Sequence, residues 1–143
     1  MRRIGITGGI GSGKSVVSRL LRIMGYSVYD TDSEAKRLME SSLEVVQKLS
    51  ECFGRDIYHN GRLNRGLLSS RVFGKSDKIV LLNSIVHPVV RFVFYRWSES
   101  LNEEICFVES AILYESRFDE LVDEVWTVTA PEELRISRVR QRS

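Results

Sequence analysis

The sequence IGITGGIGSGKS, at residues 4–15, decides the fold that we expect for this chain. It joins an apolar run at residues 4–7 to a glycine-rich segment, and apolar residues then recur with helical spacing up to Gly25. Residues 27–29, Ser-Val-Tyr, predict a second short strand. The pattern therefore predicts a β-α-β unit with parallel strands and a right-handed crossover.

The glycine-rich segment matches the phosphate-loop pattern G-x-x-x-x-G-K-S/T in full, between a strand and a helix. Glycines allow successive N–H groups to point inward around phosphate oxygens, and the following helix adds its positive dipole end. Lys14 can reach the β and γ phosphates, and the Ser15 hydroxyl is placed to bind Mg²⁺. The residues expected to contact the nucleotide are Gly8, Gly9, Gly11, Ser12, Gly13, Lys14, Ser15 and Val16. A glycine-rich turn without a ligand is the alternative, which the full match in this context disfavours.

The loop alone does not define a reaction, because motors, GTPases, transporters and small-molecule kinases all use it. The sequence contains no N-K-x-D, D-x-x-G or L-S-G-G-Q motif, which leaves a small kinase. Asp30 and Asp32 follow the second predicted strand, where an acceptor could lie beside the loop. A carboxylate there could take the proton of the acceptor hydroxyl, although either residue could instead cap a helix.

Composition and charge indicate one soluble domain. The chain has 143 residues, of which 43% are hydrophobic and 28% charged, and its net charge is only +2. We expect no nucleic-acid partner, and no membrane partner because no apolar run approaches the ~20 residues of a membrane span. Cys52 and Cys106 lack metal-ligand spacing and are expected to be buried thiols. No leader pattern precedes the first strand, so we expect a cytoplasmic protein.

The rest of the chain predicts a helical insertion in an α/β core. Residues 33–102 have mainly helical patterns, with a turn at Asn60-Gly61 and a long helix that Pro88 kinks or restarts. One predicted helical stripe consists of Leu43, Val46, Leu49 and Phe53. Residues 105–108 and 125–128 are buried-strand candidates, and a final helix is expected to start near Pro131. The predicted fold is a single P-loop, nucleotide-kinase-like α/β domain, a parallel sheet flanked by helices. Its core is about 1–32 and 103–143, and a helical substrate-binding insertion occupies about 33–102.

Six segments together resemble the dephospho-coenzyme A kinase family. TGGIGSGKS at residues 7–15, followed by Asp-x-Asp after the second strand, resembles its phosphate loop and the segment beyond it. GRLNR at 61–65 resembles its G-x-L-(D/N)-R segment, and NSIVHP at 83–88 its helix ending in His-Pro. ESAILYE at 109–115 resembles an acidic-x-Pro-Leu-Leu-Phe-Glu strand end, and RISRVRQR at 135–142 a Q-x-x-R-x-x-x-R helix. The resemblance spans the whole chain.

This resemblance implies transfer of the ATP γ-phosphoryl group to the ribose 3′-hydroxyl of dephospho-CoA, the last step of coenzyme A synthesis. Asp32 is then the matching base. Arg65 and His87 fall in the block that encloses the acceptor, and Arg138 and Arg142 fall in a lid over the transferring phosphate. Glu109 matches a Walker B carboxylate that holds a water on Mg²⁺. From the residues alone, the arginines could form a solvated helix face, His87 could pack beside Pro88, and Glu109 could be a cap.

The chain also departs from the family pattern. Val16 stands where the family often has threonine, Ser110-Ala111 replaces a residue-proline pair, and Arg135 replaces glutamine. The family is typically longer, so we expect the lid return, the last strand and the adenine-side loop to be missing. The expected cofactors are ATP and Mg²⁺, and the expected partner is dephospho-CoA, bound by a monomer or weak homo-oligomer. A P-loop kinase for a nucleoside or nucleotide, or an ATP-binding fragment without turnover, remains the alternative.

Overall fold

The computed structural model describes residues 1–9 and 11–129. Its helices are α1 (Lys14–Ile23), α2 (Thr31–Ser41), α3 (Leu43–Phe53), α4 (Arg65–Val72) and α5 (Ser76–Ser100). Its strands are β1 (Arg2–Thr7), β2 (Val28–Asp30), β3 (Tyr58–His59), β4 (Arg62–Leu63), β5 (Ile105–Glu109) and β6 (Glu124–Thr127). Short 3-10 helices lie at Arg55–Ile57 and Phe118–Leu121. The predicted helix after Pro131 lies outside the described residues.

The chain divides into two units. Among the described residues, the sheet unit contains 1–31 and 94–129, and the helical unit contains 32–93. In the sheet unit, all strand pairs are parallel and the order is β2-β5-β1-β6. Because parallel strands end at the same edge of a sheet, the residues that follow β1, β2, β5 and β6 meet there. A parallel sheet flanked by helices confirms the predicted fold class.

The sheet unit has a hydrophobic core to which α1 contributes. Ile4, Ile6, Leu21 and Phe107 form this buried cluster. The predicted helix spacing is confirmed, but Leu20 and Met24, which belong to that pattern, are 54% and 68% exposed. The core therefore uses a narrower face of α1 than the sequence pattern suggested.

In the helical unit, α3 buries Val45, Leu49 and Phe53 at four-residue spacing. The predicted stripe was wrong at Leu43, which is 86% exposed as the first residue of the helix. Ser42 caps this helix, since its hydroxyl accepts the N–H of Val45. A stripe counted from Leu43 therefore starts on the wrong face.

The two cysteines have different environments. Cys106 is buried, as predicted, and burial raises the pKa of its thiol. Cys52 is exposed, so the expectation of two buried thiols was wrong for this residue. It lies on α3 next to the buried Phe53, which shows that an apolar neighbour in the sequence does not determine burial.

The predicted turn at Asn60-Gly61 is confirmed and joins β3 to β4 in an antiparallel hairpin. Both residues have positive φ angles, 52° and 78°, as tight hairpin turns require. Two contacts attach the hairpin to α2: the Tyr58 hydroxyl donates to the Met39 carbonyl at 2.6 Å, and the Leu63 N–H donates to the Glu40 carboxylate at 3.2 Å. Burial, then the negative charge of Glu40, raises the pKa of Tyr58 to about 12.

Helix α5 continues through Pro88, so of the two predicted alternatives, a kink or a restart at this residue, the restart was wrong. Among the described residues, α5 is also the one helix long and apolar enough to cross a membrane, contrary to our expectation that no run approached this length. This is weak evidence, because core helices of soluble proteins pass the same test. The buried positions Val86, Val90, Phe94 and Ser98 recur every four residues, which defines one packed face.

Candidate functional site

The glycine-rich loop connects β1 to α1 and turns by means of two positive φ angles. Gly11 has φ 78° and Gly13 has φ 100°. The Ser12 N–H donates to the Gly9 carbonyl at 3.1 Å, and the Val17 N–H donates to the Gly13 carbonyl at 3.1 Å, which starts the helix. Gly13 occupies the N-cap position and provides no side-chain cap. The first turn of α1 can therefore direct backbone N–H groups to an anion.

Gly8 is required because other atoms approach it closely. A Cβ atom at this position would lie 2.6 Å from the Ser12 hydroxyl oxygen and 2.6 Å from the Val128 carbonyl oxygen. The Val128 N–H donates to the Thr7 carbonyl at 2.8 Å, which holds the chain after β6 beside the start of the loop. The shape of the loop thus depends on both the absent side chain of Gly8 and the end of β6.

A carboxylate from β5 lies against the lysine of this loop. Glu109 ends β5 and is only 7% exposed. Lys14 Nζ donates to Glu109 Oε1 at 3.2 Å, and the Ser18 hydroxyl donates to Oε2 at 2.7 Å. The Thr31 hydroxyl donates to the main-chain carbonyl of Glu109 at 2.8 Å. Asp30 pairs in register with Glu109, so two carboxylate residues end neighbouring strands.

Ser18 was missed in the sequence analysis. The available signal was its position four residues after Lys14, which puts both residues on one face of α1. A serine at this spacing is too common to indicate a role without the position of Glu109.

The loop fits a nucleoside triphosphate with a magnesium ion. Among the described residues, the buried Ser12 hydroxyl oxygen has no hydrogen-bond partner, and a phosphate oxygen would provide one. The described residues contain no group of three or more His, Cys, Asp or Glu suited to a metal. Mg²⁺ would therefore take most of its ligands from phosphate and water, with Ser15 and Glu109 as the contribution of the chain.

Asp32 belongs to the helical unit. It is exposed and lies in the first turn of α2, one residue after Thr31. Negative charge is favourable at this end of a helix, so the position is compatible with a structural role as well as a catalytic one.

Arg65 starts α4 and contacts α2. Its guanidinium donates to the Lys36 carbonyl at 3.2 Å and lies 3.9 Å from the Glu40 carboxylate. Its neighbour Asn64 caps α4 by accepting the Leu67 N–H at 3.0 Å. The motif at residues 61–65 therefore has a structural explanation in its turn, its cap and this contact.

His87 is half-buried on α5. Burial, and then the positive charge of Arg91, lowers the pKa of its imidazole. The neutral imidazole is therefore favoured over a cationic one. Arg138 and Arg142 lie outside the described residues.

The parallel sheet, the glycine-rich loop between β1 and α1, and the lysine paired with a strand-end carboxylate define a P-loop nucleotide-binding protein. Comparison with known proteins narrows this class. The family model for dephospho-CoA kinase matches residues 2–143. The chain belongs to the dephospho-CoA kinase family, so its enzyme class is that of a kinase, as the motifs predicted.

Individual relatives agree with this assignment. A dephospho-CoA kinase from Porphyromonas gingivalis is 46% identical over 142 residues, covering 99% of this chain and 70% of the relative. One from Corynebacterium diphtheriae is 41% identical over 143 residues, which cover 97% of this chain and 72% of the relative. A crystal structure from Thermus thermophilus matches with a TM-score of 0.82 at 37% identity, and the match covers 99% of this chain and 72% of that structure. A dephospho-CoA kinase from Campylobacter jejuni shares the fold, with a TM-score of 0.63 at 16% identity. The match covers 99% of this chain and 95% of that one.

Proposed function

We propose that this chain transfers the γ-phosphoryl group of ATP to the ribose 3′-hydroxyl of dephospho-CoA, the final step of coenzyme A biosynthesis. Membership of the kinase family supports ATP as the donor. The observation that carries the proposal for this chain is the pairing of Lys14 with Glu109 beside the phosphate loop. A lysine and an acidic strand end at one loop are the groups that a triphosphate and its metal ion need.

On the donor side, backbone N–H groups of the loop surround the phosphates. The residues assigned to this role are Gly8, Gly9, Gly11, Ser12, Gly13, Lys14, Ser15 and Val16. The Lys14 ammonium would turn from Glu109 toward the β and γ phosphates, and Ser15 and Glu109, the latter through a water, would hold Mg²⁺. When bound, Mg²⁺ neutralises the charge that develops on the phosphate oxygens.

On the acceptor side, Asp32 accepts the proton of the 3′-hydroxyl as the hydroxyl oxygen bonds to the γ phosphorus, while the bond from this phosphorus to the β–γ bridging oxygen breaks and ADP leaves. Arg65 would exchange its contact with Glu40 for an anionic group of dephospho-CoA. The lowered pKa of His87 favours a hydrogen-bonding role for the neutral ring rather than a charge contact. Arg138 and Arg142 would stabilise charge on the transferring group, as the family resemblance implies.

We also propose that the chain works in the cytoplasm as a monomer or weak homo-oligomer, without a nucleic-acid or membrane partner. The small net charge of +2 supports the absence of a nucleic-acid partner. The proposed substrate, dephospho-CoA, is a water-soluble nucleotide, which supports a cytoplasmic location.

The direct test measures ADP release from Mg²⁺-ATP with and without dephospho-CoA. We expect acceptor-dependent ADP release, which Lys14→Ala lowers by about 100-fold or more because the cation that stabilises the transferring group is lost. Lys48→Ala is the matched control, since this exposed lysine pairs only locally with Glu44 at 2.9 Å.

Asp32→Asn tests the base. It should lower kcat by about 100-fold or more while ATP binding persists. Asp77→Asn is its control, because Asp77 is also an acidic residue in the first turn of a helix. ADP release with a nucleoside but not with dephospho-CoA would show that dephospho-CoA is not the phosphoryl acceptor. ATP binding without any ADP release would instead show a fragment that does not turn over.

A further inference from the structure

A second contact to Glu109 comes from outside the phosphate-loop motif. Ser18 is only 1% exposed, and its hydroxyl donates to Glu109 Oε2 at 2.7 Å. A carboxylate oxygen only accepts hydrogen bonds, so this contact fixes the direction of the hydroxyl proton. Hydrogen bonds from a hydroxyl to a carboxylate are charge-assisted and stronger than neutral ones. The contact is therefore well suited to hold one oxygen of Glu109 in place.

The contacts of Glu109 separate its oxygen atoms into fixed and exchangeable ones. Thr31 holds the main-chain oxygen and Ser18 holds Oε2, while Oε1 contacts Lys14. Lys14 belongs to the phosphate-binding motif and has a flexible side chain, whereas Ser18 is short and buried in α1. A lysine that turns toward phosphates leaves Oε1 available, and Oε2 keeps its partner.

We infer that Ser18 is a positioning residue that fixes the Glu109 carboxylate, so that Oε1 faces the phosphate loop and a metal-bound water there. This inference rests on the proposed role of Glu109 at Mg²⁺. Without the Ser18 hydroxyl, Oε2 loses its partner and the carboxylate can rotate. That rotation would turn Oε1 away from the metal-bound water. Ser18 therefore supports the metal-dependent part of nucleotide binding.

Calorimetric titration with ATP, in Mg²⁺ and separately in EDTA, tests this role without requiring turnover. We expect Ser18→Ala to weaken Mg²⁺-ATP binding by about 10-fold, as the loss of a residue that orients a metal ligand does, and to leave binding in EDTA unchanged. Ser18→Thr retains a hydroxyl and should restore most of the Mg²⁺ effect.

Ser98→Ala is the control for the loss of a buried hydroxyl. Ser98 is fully buried in the same unit, where it accepts from Arg3 and donates to the Tyr95 carbonyl, both at 2.7 Å. This variant should lower the melting temperature without changing either affinity. If Ser18→Ala weakens binding equally with and without Mg²⁺, the inference is overturned.

Glu109→Gln separates this inference from the proposed function on which it rests. If Glu109→Gln leaves the Mg²⁺ effect unchanged, the metal role of Glu109 fails and the role of Ser18 fails with it. If Glu109→Gln reduces the Mg²⁺ effect and Ser18→Ala does not, only the role of Ser18 is wrong. A reduced Mg²⁺ effect in both variants, with Ser98→Ala unchanged, supports the inference.

Discussion

The phosphate loop of the sheet unit and the β3–β4 hairpin of the helical unit use the same backbone device for different purposes. Both turn through consecutive or nearly consecutive residues with positive φ, Gly11 and Gly13 in the loop and Asn60 and Gly61 in the hairpin. The difference lies in the polar groups around the turn. The loop contains the buried Ser12 hydroxyl, which has no partner among the described residues. The hairpin donates its Tyr58 hydroxyl and Leu63 N–H to α2.

A positive φ angle therefore does not by itself identify a binding site. A turn can bind a ligand where nearby polar atoms still lack hydrogen-bond partners. Where those atoms are hydrogen-bonded within the protein, the turn contributes to stability instead. The comparison predicts that substitutions in the loop reduce nucleotide affinity more than stability, and that substitutions in the helical unit do the reverse.

Gly8→Ala should produce the largest effect of these variants. An unchanged ATP affinity in Gly8→Ala would contradict the distinction between the loop and the hairpin. The new Cβ atom would lie 2.6 Å from both the Ser12 hydroxyl oxygen and the Val128 carbonyl oxygen, so the loop has to move. We expect ATP affinity to fall by about 100-fold, as misplacement by about 1 Å does at a preorganised site, with a smaller change in melting temperature. Binding can be measured by calorimetry and stability by thermal unfolding.

Gly66→Ala is the matched control for Gly8→Ala. Gly66 lies in α4, where an added Cβ atom would meet only the Asn64 side chain at an ordinary 3.6 Å. Alanine should stabilise this helix by about 0.5–1 kcal/mol and leave ATP affinity unchanged. Equal ATP affinity in Gly8→Ala and Gly66→Ala would show that the loop does not bind phosphate as proposed.

Gly54→Ala should produce the second largest effect, on stability alone. Gly54 has φ 103° and ψ 142°, a conformation almost restricted to glycine, and a Cβ atom would lie 2.5 Å from an Arg71 nitrogen. We expect a loss of about 2–3 kcal/mol in the free energy of unfolding, measured with urea. Gly61→Ala should cost about 1 kcal/mol, because its φ is positive but no atom of the described residues lies within 4 Å of the new Cβ.

Neither variant should alter ATP affinity in the temperature range where the chain is folded. A Gly54→Ala chain that keeps its stability but binds ATP weakly would contradict the division between the loop and the helical unit.

The sequence predicted the parts of the fold that depend on local rules. The four strands of the parallel sheet lie within two residues of their predicted bounds, because each includes a short run of apolar residues, and the loop and the Asn60-Gly61 turn depend on backbone angles that few residues adopt. The predicted burial of the last strand was wrong, because β6 has one neighbouring strand among the described residues and none of its residues is buried. The buried faces of the helices were less predictable. Leu20 and Leu43 are apolar but exposed, since burial depends on which neighbouring elements cover a helix and not on its composition.

The candidate site divides in the same way. The motif located Lys14 and the strand pattern located Glu109, but no local rule indicated that Ser18 would contact the same carboxylate. The contacts of Arg65 with α2 were equally hidden, because its partners Lys36 and Glu40 lie in an earlier helix. Long-range contacts of side chains are the part of a site that a single sequence does not contain.

The smallest expected effect concerns His87 and is a change in the pH dependence of stability. Burial and the charge of Arg91 hold the pKa of this imidazole below its ordinary 6.5, whereas the unfolded chain titrates near that value. The unfolded chain therefore binds the proton first, so the stabilisation from neutral His87 is complete above pH 6.5 and is lost as the pH falls below it. Urea unfolding between about pH 7.5 and about pH 5.5 should show a flatter pH dependence for His87→Gln. His59→Gln, at an exposed position on the hairpin, should retain the original slope, and ATP affinity at each pH should be the same in both variants. If His87→Gln leaves the slope unchanged, the imidazole of His87 does not contribute to the pH dependence of stability. If His87→Gln alters ATP affinity while His59→Gln does not, the contrast with the phosphate loop fails at this residue.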